Sequence, residues 1–179
     1  MTKFDPDKHH RRSIRLKNYD YSGNGAYFVT LCTFDRGCYF DDFSMLRKIV
    51  ENYWLDIPGR YSNTWLDEYV IMPNHFHGIL MIDDSQQESL QNSKPVLGSV
   101  IGSFKSLCVN AWLKTIKEQN INARGKFWQD NYYEHVVRSE AELESVREYI
   151  LNNPAQWALD RENIVNSGKV GSVEEKWMV

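Results

Sequence analysis

Two hydrophobic periods alternate along the chain. Residues 26–34, Ala-Tyr-Phe-Val-Thr-Leu-Cys-Thr-Phe, are rich in aromatic and β-branched types and follow the Tyr-Ser-Gly-Asn-Gly turn of residues 21–25. This pattern predicts a strand. Over residues 42–55 the period lengthens: Leu46, Ile49, Val50 and Tyr53 recur at the spacing of one helical face. Asp42 stands where an N-cap belongs, and Pro58-Gly59 closes this first helix. Strands over Thr64–Ile71 and His75–Ile82 follow, joined as a hairpin through Met72-Pro73-Asn74. Residues 83–95 are polar and read as a mobile loop. A second helix over Leu97–Gln119 carries its buried stripe on Val100, Ile101, Phe104, Leu107, Cys108, Ala111 and Leu113. Residues 120–126 form a loop, and residues 127–137, with Trp128, Tyr132, Tyr133, Val136 and Val137, are extended. Ser139 with Glu142 three residues later is a capping box, opening a third helix that should end at Asn153-Pro154.

The order β, α, β, β, α, β, α is a split βαβ pattern. It favours an α+β fold, a ferredoxin-like antiparallel sheet with helices packed on one face, although the order alone admits other α+β arrangements. At 179 residues, 42% of them hydrophobic, the chain has the size of one domain with tails. We place a basic N-terminal arm at residues 1–20, the domain at 21–158 and a polar C-terminal tail at 159–179. Cys32, Cys38 and Cys108 form no CxxC pair, and their odd number argues against a disulfide framework, so a reduced, cytoplasmic setting is expected. No stretch approaches the roughly 20 apolar residues of a membrane span, and the N-terminus offers no apolar signal region.

A net charge of −3 does not mark a polyanion binder, so any nucleic-acid role has to rest on local patches. Lys8, Arg11, Arg12, Arg15 and Lys17 form one without an intervening acid, and Lys105, Lys114, Lys117, Arg124 and Lys126 form another, opposed by Glu118. Either is equally an ordinary solvated charge run.

His75 and His77 are one residue apart in the predicted strand, so they share a face with Cα atoms roughly 7 Å apart, close enough for two imidazoles to reach one metal ion. Two polar residues on a solvated strand face fit the same residues. In the third helix Leu143, Val146 and Ile150 form the apolar stripe, and Tyr149 and Asn153 fall together at its margin. Residues i and i+4 are helical neighbours, so a phenol and an amide oxygen could face one bound phosphate. A core-edge tyrosine and a helix-ending asparagine before proline are the plain alternatives.

The segments Pro73-Asn74-His75-Phe76-His77, Trp128-Gln129 to His135-Val136-Val137-Arg138 and Glu148-Tyr149-Ile150-Leu151-Asn152-Asn153-Pro154, in this order, resemble the REP-associated tyrosine transposases, a branch of the single-tyrosine HUH transposases. The Arg11-Arg12-Ser13-Ile14-Arg15-Leu16-Lys17 to Tyr27-Phe28-Val29-Thr30 opening is similar to the same group, so the resemblance covers about residues 11–157. It implies the HUH endonuclease/transposase fold and a metal-binding pair at His75 and His77. It implies Tyr149 as the nucleophile that leaves a 5′-phosphotyrosyl link and a free 3′-hydroxyl, and Asn153 as a third ligand. The ion would be Mg²⁺ or Mn²⁺, with imidazole ligands suiting Mn²⁺ better. The partner would be single-stranded DNA folded as a REP-like palindromic hairpin, bound by a monomer or by a homodimer with shared sites. Arg11, Arg12, Arg15, Lys105 and Lys114 are the expected DNA contacts. Tyr132 and Tyr133 lack a ligand four residues on and read as strand or stacking aromatics, and His135 as a packing or hydrogen-bonding residue. Two rivals remain: a His-x-His metallohydrolase without a covalent intermediate, and a non-catalytic hairpin-binding protein.

Overall fold

Two central strands that are apolar on both faces decide the architecture. A computed structural model describes residues 25–83, 96–160 and 163. The basic arm with Arg11, Arg12 and Arg15, nearly all of the 83–95 loop and most of the tail lie outside the described residues. Strand β1, Gly25–Cys32, buries Tyr27, Val29 and Leu31 on one side and Phe28 on the other. It pairs antiparallel with β3, His75–Ile82, in the register Phe28 to Ile79 and Leu31 to Phe76. Strand β2, Thr64–Ile71, joins the far edge of β3, and β4, Tyr133–Val137, joins β1, giving the order β2-β3-β1-β4 with antiparallel neighbours throughout. This is the expected ferredoxin-like sheet.

The helices are α1 (Tyr39–Asp42), α2 (Ser44–Leu55), α3 (Ile57–Arg60), α4 (Leu97–Gln119) and α5 (Glu140–Gln156). On one face α2 supplies Leu46, Val50 and Trp54, and α4 supplies Val100, Phe104, Cys108 and Trp112, against Tyr27, Val29, Leu31 and Phe76. Helix α5 departs from the expected one-sided packing. Its Leu143, Val146 and Ile150 close on Phe28 and Ile79 on the opposite face. The reason is the double-sided apolar character of β1 and β3, which leaves a second hydrophobic surface that must be covered.

Local departures from the sequence reading have equally local causes. Asp42 ends α1 instead of capping α2, whose N-cap position is Phe43 with no side-chain cap bond. Pro58 and Gly59 sit inside the single turn of α3, where proline in the first turn forfeits no helical hydrogen bond. In α4 the stripe turns through Trp112, whose indole N–H donates to Arg124 O at 3.0 Å, while Leu113 is 47% exposed. Helix α5 passes through Pro154 and ends in a 3₁₀ turn at Trp157–Leu159.

The position of α5 is set by charge as well as packing. Ser139 Oγ accepts from the Glu142 N–H at 3.2 Å, as a capping box requires, but the Glu142 carboxylate accepts from the Arg138 N–H and lies 2.8 Å from His135 Nε2. Burial raises the Glu142 pKa, yet these hydrogen bonds outweigh it and hold the group below the ordinary value. Arg147 forks onto Asp67 of β2, with Nη2 at 2.6 Å from Oδ2 and Nε at 3.0 Å from Oδ1. Asp67 sits where the β2–β3 register shifts between Leu66 and Tyr69. The Arg147 hydrogen bond holds its carboxyl below the usual range.

Two outcomes follow from this packing. A Cβ on Gly78 would stand 2.6 Å from Trp54 Cζ2 and 2.8 Å from Phe76 Cε1. Gly78→Ala should therefore lower the unfolding free energy by about 1–3 kcal/mol in urea titrations. Because the Asp67 pKa is lowered by folding, its contribution is complete above the unfolded value and is lost as pH falls through the folded one. Asp67→Asn should melt below the wild type at pH 7, and the gap in melting temperature should close under acid conditions, below about pH 4.

Candidate metal and nucleophile site

Strand alternation places His75 and His77 on the α5 face of β3, with Phe76 in the core behind them. Both imidazoles are buried, at 0% and 1% exposure, with ring centroids 4.5 Å apart. The β1 register sets Thr30 opposite His77 and Cys32 opposite His75. Thr30 Oγ1 is 2.8 Å from His77 Nδ1, and Phe28 stacks on the His77 ring at 5.2 Å. His75 Nδ1 lies 2.9 Å from Asn74 Oδ1, and Asn74 Nδ2 donates to Arg36 O at 3.0 Å. Each imidazole thus has its Nδ1 engaged by a buried polar group, the arrangement that orients histidine ligands around metals.

Helix α5 brings the phenol. Tyr149 Oη is 3.4 Å from His77 Nε2, and the tyrosine ring meets Phe28 edge-on at 5.9 Å. One turn later Asn153 is 4% exposed, and its Oδ1 has no hydrogen-bond partner among the described residues. Past the helix, Trp157 lies 5.9 Å from the His75 ring, and the buried carboxylate of Asp160 reaches to 3.7 Å of His75 Nε2. Two imidazoles, an amide oxygen and a carboxylate are donors of the kind that divalent ions accept. Among the described residues no three His, Cys, Asp or Glu side chains form a group able to hold an ion by themselves.

His75, His77 and Tyr149 are therefore together, and Asn153 follows on the same helix. Lys105 and Lys114 are not with them, since α4 packs on the other face of the sheet. Lys105 Nζ donates to Gln129 O at 2.7 Å and Asp130 O at 2.9 Å, and burial pushes its pKa down to about 8 against the pull of Asp130. Lys114 is exposed, 3.8 Å from Glu118. Tyr132 packs on the α2 and α4 core, while Tyr133 lies on the site face across Thr30. His135 is engaged by Glu142.

Thr30, Asn74 and Asp160 escaped the sequence reading. Thr30 is recognisable only once the β1–β3 register is known, and Asp160 carries no signal in its neighbours. Asn74 read as a turn residue, and only the fold shows it gripping His75.

A buried amide oxygen without a partner costs stability. Asn153→Leu should raise the unfolding free energy by about 1 kcal/mol in chemical denaturation, the behaviour of a residue kept for a ligand and not for the fold.

No family model matches the chain. An uncharacterized protein of Haemophilus influenzae is 35% identical over 180 residues, spanning 89% of this chain and 97% of that protein. The structure of a REP-associated tyrosine transposase bound to a REP hairpin superposes with a TM-score of 0.54 at 18% identity, covering 82% of this chain and 76% of that one. A crystal structure from Deinococcus radiodurans aligns at a TM-score of 0.46 and 17% identity over 77% of this chain and 95% of that one, too loosely to carry an argument. Among the described residues no helix is long and apolar enough to cross a membrane.

Proposed function

This chain belongs to one protein family with the Haemophilus influenzae relative and has the fold of the REP-associated tyrosine transposase, and on that footing we propose that it cleaves and rejoins single-stranded DNA beside hairpins through Tyr149. The observation that carries the reading is the 3.4 Å approach of the Tyr149 phenol to His77 Nε2, between residues 72 positions apart. A buried Asn153 oxygen without a partner among the described residues and two imidazoles engaged at Nδ1 make the donor set fit a divalent ion. His75, His77 and Asn153 would hold it. When bound, Mg²⁺ or Mn²⁺ supplies Lewis-acid polarisation of a phosphate and positive charge beside the phenol.

The chemistry of the chain itself is displacement at phosphorus. A free tyrosine, with a pKa of about 10, is ionised in only about one molecule in a thousand at pH 7, so positive charge near the phenol assists the attack. Tyr149 Oη gives up its proton and forms a bond to phosphorus as the bond to the 3′ oxygen breaks. The 3′ oxygen leaves and takes up a proton, and the 5′ side remains as a phosphotyrosine. Rejoining is the reverse, with a 3′-hydroxyl displacing Tyr149 and the proton returning to the phenol. Phe28, packed against both the His77 and Tyr149 rings, keeps their mutual placement. Because histidines and tyrosine of the same chain already meet, a site complete in the monomer is favoured. Arg11, Arg12 and Arg15 of the N-terminal arm are the proposed phosphate contacts.

The test is incubation with labelled REP-like hairpin oligonucleotides carrying single-stranded flanks, with Mn²⁺, read on a denaturing gel. We expect a covalent protein–DNA adduct that Tyr149→Phe abolishes and that His77→Ala lowers by about 100-fold or more. Cleavage that survives Tyr149→Phe would identify a hydrolase instead. Hairpin binding without any nicking would identify a recognition protein.

A further inference from the structure

We infer that Asn74 is a positioning residue that fixes which nitrogen of His75 faces the site, and that the left-handed turn at Asp35 and Arg36 serves to hold Asn74 in place. The inference rests on the reading of His75 as a ligand. A neutral imidazole carries one N–H and one bare nitrogen, and only the bare nitrogen can coordinate. An amide has no such ambivalence, because its oxygen only accepts and its nitrogen only donates.

Asn74 is fully buried, so no solvent competes for its side chain. Its Nδ2 donates to Arg36 O at 3.0 Å, and turning the amide over would set oxygen against oxygen there. Oδ1 must therefore face His75, where Nδ1 stands at 2.9 Å. An oxygen that only accepts requires a donor, so Nδ1 carries the proton and Nε2 is bare in the neutral ring. That bare nitrogen is the one 3.7 Å from Asp160 Oδ2. His77 differs: its Nδ1 partner is the Thr30 hydroxyl, which both donates and accepts and so does not choose a tautomer. The His75 tautomer is thus wired through Asn74.

The wire continues into the backbone. Asp35 and Arg36 hold φ of 50° and 53° although neither is glycine, a pairing of left-handed residues that L side chains disfavour. The turn is closed by Arg36 N–H to Thr33 O at 3.1 Å and Gly37 N–H to Phe34 O at 3.1 Å, and it presents the Arg36 carbonyl to the Asn74 amide. Thr33 in turn donates its N–H to Asn74 O at 2.9 Å. Such strain persists where the surroundings over-determine it, typically beside functional groups.

The test is a long-range ¹H–¹⁵N correlation spectrum of the full-length, metal-free protein with labelled histidine, taken at a pH where imidazoles are neutral. His75 is assigned by its absence in His75→Gln. We expect the Nδ1–H tautomer at His75. Asn74→Leu should relax it toward the Nε2–H form and weaken Mn²⁺ binding, measured by calorimetry, by about 10- to 100-fold. An Nε2–H tautomer in the wild type overturns the inference, as does an Nδ1–H tautomer that survives Asn74→Leu. If Asn74→Leu does not fold, the wild-type spectrum alone decides. The spectrum needs neither metal nor DNA. An Nδ1–H ring in a protein that forms no adduct counts against the transposase reading only, and an Nε2–H ring in a protein that does form one counts against this inference only.

Discussion

Everything in this molecule hangs on the antiparallel pairing of β1 with β3, because those two strands are buried on both faces. One face of the pair makes the main core with α2 and α4. The other needs a cover, and α5 provides it through Leu143, Val146 and Ile150. The same register that sets Phe28 beside Ile79 sets Thr30 beside His77. The histidines occupy the start of β3 on that second face, where the apolar contact with α5 gives way to polar groups. The site is thus the polar end of a hydrophobic interface, and helix α5 arrives there for packing reasons before any chemical ones.

Periodic signals in the sequence were accurate where an element is long or sharply bounded. Thr64–Ile71, His75–Ile82 and Leu97–Gln119 stand as read, since each combines a clean period with a turn or breaker at its ends. The pairing of Tyr149 with the histidines was legible only through the motif resemblance, because a helical stripe says which residues are buried and not against what. For the same reason the stripe does not say which side of the sheet α5 covers. The helical period likewise does not separate Trp112 from Leu113: an indole is as apt for a helix margin as for a core, and only the carbonyl of Arg124 shows which it serves. Contacts such as Asn74 with Arg36, or Asp160 with His75, join residues that no local pattern relates.

Acidity around helix α5, unexpected for a protein with DNA as its proposed substrate, has a structural use. Glu144 and Glu140 approach Arg147 at 3.0 and 3.4 Å, and Glu142 is held by His135 and the Arg138 amide. These carboxylates are engaged with cations and amides of the fold, so they do not stand as a uniform negative field. Negative charge in the first turn also complements the helix dipole.

The Trp54 ring pressed against Gly78 gives the site a mechanical asymmetry. Gly78 follows His77 directly, and with an indole packed close behind its Cα the strand has no room to yield toward the core. The histidines therefore behave as an anvil. Helix α5, besides its apolar stripe, is held by an arginine fork and a capped end, both partly exposed to solvent. Ionic strength weakens such contacts while leaving the indole untouched. The imidazole side of the site thus rests on packing that salt does not screen, and the phenol side rests in part on charge that it does.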